Sequence, residues 1–124
     1  MENKVSKEDM AEALPYIIAI DFDGTLVEDK FPNIGEKRDW VWTRALAAKK
    51  AGKKLILWTS RDHNNLEEAV AFCKNEGLEF DAVNENLKEV RALFNNDTRK
   101  VYANEYWDDK AIGSFCDKLF SPTV

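Results

Sequence analysis

The sequence predicts an α/β fold, a small parallel sheet flanked by helices, and three observations carry that prediction. Apolar runs of strand length alternate along the chain with stretches of helical period, the pattern that βαβ units with right-handed crossovers produce. The first run, Ile17-Ile18-Ala19-Ile20, is mostly β-branched and follows Pro15, as a buried strand does. It ends in Asp21-Phe22-Asp23-Gly24-Thr25, which places charge where a buried strand must reach the edge of its sheet.

Taken in order, residues 1–15 are a polar N-terminal extension, and 16–124 form one domain. Within the extension, Ser6 to Leu14 reads as a short surface helix stopped by Pro15, or as a frayed end. Strand one spans Tyr16 to Asp21. Glu28 to Arg38, with Pro32, Asn33 and Gly35, is expected to be loop or a small flap. Asp39 reads as the N-cap of a helix from Trp40 to Ala51, with Val41, Ala45 and Ala48 on its inner face. Strand two is Lys54 to Trp58. A helix follows in which Leu66, Ala69, Val70 and Cys73 make one stripe. Phe80 to Val83 is a short strand, Leu87 to Phe94 a helix, Val101 to Trp107 a weaker strand, and Ala111 to Phe120 a terminal helix.

Composition narrows the function classes. With 124 residues, 44% hydrophobic and 33% charged, the chain has ordinary globular composition and enough length for a core. A net charge of −5 argues against broad nucleic-acid or membrane binding. Cys73 and Cys116 lack metal-ligand spacing and read as buried or free thiols, which suits a reducing cytoplasm. Met1-Glu2-Asn3-Lys4 leads into no long apolar segment, so neither a signal peptide nor a membrane span is expected. No G-x-x-x-x-G-K-[ST] motif occurs, which excludes P-loop chemistry.

Three strand ends carry polar groups that a parallel sheet brings to one edge: Asp21 with Asp23, Thr59-Ser60-Arg61, and Asp108-Asp109. Asp21 and Asp23, two apart, point to the same side of a strand. Together these are the parts of carboxylate-based phosphoryl transfer. One acid attacks phosphorus and another moves the proton, while a hard cation offsets the crowded charge. A hydroxyl and a cationic side chain hold the remaining phosphate oxygens. Simpler roles compete for several of these groups. Ser60 is as well suited to capping the next helix, Arg61 to an exposed loop, and His63 to the surface. Trp40 and Trp42 suit core and flap packing.

Asp21-Phe22-Asp23-Gly24-Thr25-Leu26-Val27 resembles the DxDGT(L/V) signature of the haloacid dehalogenase (HAD) superfamily, whose members are mostly Mg-dependent phosphatases. The strand before Thr59, Lys100 and Asp108-Asp109 is similar to its later motifs, and the likeness spans Tyr16 to Lys110. It implies a three-layer, Rossmann-like fold and an aspartyl-phosphate mechanism, with Asp21 as nucleophile and Asp23 as general acid/base. Thr59 or Ser60 and Lys100, with Arg99 as the alternative cation, would bind phosphate. Asp21, the Asp23 carbonyl and Asp108 would hold Mg²⁺, supported by Asp109. Neither position at which the superfamily inserts a cap domain has room for one, so a capless, open hydrolase is implied. Its partner would be a phosphorylated small molecule or polymer end, with a homo-oligomer as a further expectation. A receiver-like phospho-accepting domain and a non-catalytic HAD-like binding module are the competing readings. Two acids on one strand end disfavour the first, and the complete set of catalytic residue types disfavours the second.

Overall fold

The computed structural model describes residues 13–110. Its centre is β1 (Ile17–Ile20), with β4 (Lys54–Leu57) parallel on one side and β6 (Glu105–Trp107) parallel on the other. Outside β4 lies β5 (Ala82–Val83), giving the order β5-β4-β1-β6. Between β1 and β4 the chain makes an antiparallel hairpin, β2 (Val27–Lys30) with β3 (Asn33–Lys37), and then α1 (Asp39–Lys50). Helices α2 (His63–Asn75) and α3 (Lys88–Phe94) follow β4 and β5. The chain thus steps outward from β1 to β5 and returns to the far side of β1 as β6. Sheets of this kind bind ligands where the order reverses, outside the carboxyl ends of the strands.

All four β1 side chains are buried, and their alternation divides the core. Ile18 and Ile20 pack with Val41, Ala45, Ala69 and Cys73 beneath α1 and α2. Ile17 and Ala19 pack with Ile56, Leu87, Val90 and Val101 on the opposite face. A strand covered on both faces has no polar position to offer, which is why its sequence is a continuous apolar run. Phe72 of α2 meets Phe22 and Trp42 edge-on, at centroid distances of 6.3 and 6.0 Å. The Trp42 Nε1–H donates to the Leu26 carbonyl at 2.7 Å, so this ring serves both the core and the chain leaving the first acid pair.

Most element boundaries shift by a residue or more from expectation, and three of the shifts have a local cause. Asp39 does not cap α1: Arg38 holds the N-cap position with no side-chain cap, and Asp39 opens the first turn, where its charge suits the helix dipole. The strand expected over Val101–Trp107 is confined to Glu105–Trp107. Side chains take up the hydrogen bonds before it. Asn104 Oδ1 accepts the Ile17 N–H (2.7 Å), Asn86 Oδ1 the Tyr102 N–H (2.6 Å), and the Val101 carbonyl the Tyr106 hydroxyl (2.6 Å). Likewise Asp81 offers a carboxylate oxygen to the Leu55 N–H (2.9 Å), so β5 begins only at Ala82. The polar residues of β6 are satisfied as well, since Glu105 accepts from the Tyr16 hydroxyl and from Trp107 Nε1. The helix expected at Ala111–Phe120, most of that at Ser6–Leu14, and Cys116 lie outside the described residues. Among the described residues, no helix is long and apolar enough to cross a membrane.

Burial on both faces makes β1 the costliest place to open a cavity. Ile20→Ala should cost ~2–5 kcal/mol in urea unfolding. Leu46→Ala, at a position 40% exposed, should stay within ~0.5 kcal/mol.

Candidate active site

At the carboxyl edge of the sheet lies a cleft of about 520 Å³, lined by Asp21, Asp23, Thr59, Ser60, Arg61 and Asp108, together with Trp58 and with Asp29 and Phe31 of the hairpin segment. The polar strand ends thus converge as their order predicts, with one exception. Lys100 does not reach the cleft. It is exposed, and its ammonium lies 5.2 Å from the centroid of the Tyr106 ring. The reason is topological. Lys100 comes before β6, at the amino end of a strand whose first pair is Ile18 with Glu105, whereas the cleft lies past the carboxyl end. Arg99 is exposed beside it.

Asp21 follows β1 directly, its backbone N–H bonded to the Trp107 carbonyl at 2.9 Å and Oδ1 accepting the Phe22 N–H at 2.8 Å. Asp108 and Asp109 follow β6, the strand beside it. One carboxylate oxygen from each of Asp21, Asp108 and Asp109 lies within 4.8 Å of the others. Burial pushes the Asp21 carboxyl up to about 7. The Phe22 N–H opposes the rise, and the charges of Asp108, Asp109 and Asp23 add to it.

The turn after Asp21 is built around Asp109. Gly24 takes φ +86, and a Cβ there would stand 2.7 Å from the Asp109 Cγ, so glycine is required by conformation and by space. The Thr25 hydroxyl is buried and accepts the Asp109 N–H at 3.2 Å. Arg38 Nη1 donates to the Gly24 carbonyl at 2.7 Å. Asp109 Oδ1 is buried without a hydrogen-bond partner. A buried, unpartnered carboxylate oxygen beside two further carboxylates is a donor set suited to a hard divalent cation.

Asp23 stands apart from this trio. Both its oxygens are taken by Arg61, Nε to Oδ2 and Nη2 to Oδ1, each at 2.8 Å. Arg61 is therefore not the exposed loop residue that its position after β4 suggests; it is 3% exposed. Thr59 Oγ1 accepts the Arg61 N–H at 3.1 Å, which leaves the threonine's own O–H to donate, while Asn84 Oδ1 fixes the Thr59 N–H at 2.8 Å. Ser60 is exposed at the mouth. His63 is outside the cleft, with its side chain 91% exposed.

Lys110, which sequence reasoning passed over, lines the cleft and lies 3.5 Å from Asp109 Oδ2. The charge and hydrogen bond of Asp109 raise its affinity for a proton, with Asp29 and Asp21 adding to the effect. A cation directly after an acid pair was the available signal. The Cys73 thiol is buried and pushed up to about 12, which makes it inert.

No protein-family model matches the chain, and no curated protein does. The solved structure of a conserved protein from Bacteroides thetaiotaomicron is similar, with 35% identity and a TM-score of 0.72 over 82% of this chain and 81% of that one. The chain and that conserved protein belong to the same family.

The raised Asp21 carboxyl makes stability depend on pH. Folded, Asp21 holds its proton up to about 7, against an ordinary value of 3.8, so the folded state binds more protons between those limits. Stability in chelator should therefore be greatest below pH 4 as far as this group is concerned, and should fall as pH rises through 7. Asp21→Asn should flatten that part of the melting-temperature profile.

Proposed function

We propose that the chain is a capless phosphomonoester hydrolase of the HAD type, working through an aspartyl-phosphate with Mg²⁺ as its cofactor. The observation that carries this reading is Asp21. It is a half-buried carboxylate at the carboxyl end of the central strand, grouped with Asp108 and Asp109, in the sequence Asp21-Phe22-Asp23-Gly24-Thr25. Absence of a cap agrees with the chain between the site residues. Only the hairpin and α1 separate Asp23 from β4, and only α2, β5 and α3 separate Thr59 from β6.

In this reading, Asp21, Asp108 and the backbone carbonyl of Asp23 would hold Mg²⁺, with Asp109 supporting. A cation held there would keep Asp21 ionised and would offset repulsion between the acids and an anionic substrate. Asp21 attacks phosphorus, and the ester P–O bond breaks with its electron pair leaving on the departing oxygen. Asp23 gives that oxygen a proton. Asp23 then takes a proton from water as the water attacks the aspartyl-phosphate, releasing phosphate and restoring Asp21. Thr59, with Ser60 at the mouth, donates to the transferring group. Lys110 supplies the cation assigned by motif order to Lys100, because Lys110 lines the cleft and Lys100 does not. Trp58 offers apolar surface to the leaving group.

Millimolar Mg²⁺ should raise the melting temperature through linkage of binding to folding, and EDTA should abolish turnover. Activity that survives EDTA, with no thermal shift, would count against the cation. The two acids should separate by leaving group. Asp21→Asn should abolish turnover of every ester. Asp23→Asn should slow alkyl phosphates by ~10²–10⁴-fold and p-nitrophenyl phosphate far less, because that leaving group needs little protonation. Equal losses on both esters would refute the division of roles.

A further inference from the structure

The five N–H donors of a guanidinium are all accounted for in Arg61. Nε and one Nη2 donor go to Asp23, and the second Nη2 donor reaches the Asn33 carbonyl at 3.0 Å. Nη1 donates to the carbonyls of Pro32 (3.2 Å) and Asn65 (3.4 Å). The rings of Phe22 and Phe31 pack against it, with centroids 5.0 and 5.1 Å from Cζ. No donor remains for a substrate phosphate, so Arg61 acts on the protein. What it holds is an acid of the cleft on one side and the tip of the β2–β3 hairpin on the other.

We propose that Arg61 is a positioning residue that fixes the Asp23 carboxylate against the hairpin tip, so that proton transfer at Asp23 depends on a contact made by the hairpin backbone. The proposal rests on the reading of Asp23 as proton carrier. A bidentate fork fixes both the distance and the plane of a carboxylate, which a single ammonium cannot do. Each Asp23 oxygen keeps a second lone-pair site, so the fork orients the group without occupying the position of the proton it transfers. That proton passes to the leaving oxygen as the P–O bond breaks, and is replaced by one from the attacking water. Ordinary hairpin tips are free to move. This one contributes two of the five acceptors that seat Arg61, and the ring of Phe31 from the same tip packs against its guanidinium.

The test uses the full chain with Mg²⁺, and two esters: p-nitrophenyl phosphate and n-propyl phosphate. Arg61→Lys keeps the charge and removes the fork. It should lower kcat for the propyl ester by ~10-fold or more and for the nitrophenyl ester by less than ~3-fold, with KM little changed. In an Asp23→Asn background the same substitution should add no leaving-group dependence. Should Arg61→Lys fail to fold by circular dichroism, Phe31→Ala decides, because it removes one packed ring and leaves every polar contact in place. It should show the same ester-dependent loss at smaller size. Equal losses on both esters, or a rise in KM alone, would overturn the assignment. A wild-type chain that hydrolyses neither ester overturns the phosphatase reading, and the assignment with it. A wild-type chain active on both whose variants show no ester dependence overturns the assignment alone.

Discussion

The polar groups of the cleft are arranged around a strand that cannot be polar. β1 is buried on both faces and flanked by a parallel strand on each side, so the first place its chain can carry a charge is the residue after Ile20. Asp21 occupies that place and is still half-buried. Its neighbours β4 and β6 end at the same level, since Ile20 pairs with Leu57 on one side and Trp107 on the other. Thr59 and Asp108 are therefore delivered to Asp21 by register alone. The apolar core sets the positions of the charged site, although it contributes no atom to the chemistry.

The balance of charge at this edge is uneven by construction. Among the described cleft residues there are four acids, Asp21, Asp23, Asp29 and Asp108, with Asp109 just beneath them. Arg61 is spent on Asp23, and the Lys110 side chain is 72% exposed, where solvent weakens its attraction. Asp21, Asp108 and Asp109 are consequently undercompensated, which is one reason that Asp21 holds its proton so firmly. A buried ion pair of this quality also differs from the surface pairs elsewhere in the chain, such as Lys37 with Glu76 at 2.8 Å, whose side chains are both about a third exposed or more. Removing one partner of Asp23–Arg61 would strand a desolvated charge, whereas breaking the other costs little.

What could be read from the sequence was what depends on period and order. β1 was legible because burial on both faces imposes a continuous apolar run, and α1 and α2 because burial imposes an apolar repeat of 3.6 residues on them. Asp21, Thr59 and Asp108 were legible because a parallel sheet carries every strand end to one edge. Features set by contacts between distant residues were not. The shortened β6 depends on Asn86 and Asn104 side chains displacing ladder bonds, and no local pattern announces that substitution. Arg61 finds acceptors at positions 23, 32, 33 and 65, so nothing in Thr59-Ser60-Arg61-Asp62 marks it as buried. The placement of Lys100 followed motif order alone, and order along a chain does not state at which end of a strand a residue lies.

The hairpin tip carries a consequence for how this chain can vary. Loops usually absorb insertions and deletions because their backbone groups are answered by water. Here the carbonyls of Pro32 and Asn33 act as fixed ligands of a buried cation, and a one-residue change in length would move them out of register with it. The tip is thus constrained in length while its side chains stay comparatively free: Pro32 and Asn33 are exposed and contribute backbone oxygens to the guanidinium. Sequence drift at these two positions, with strict conservation of spacing between β2 and β3, is the signature that such an anchoring would leave.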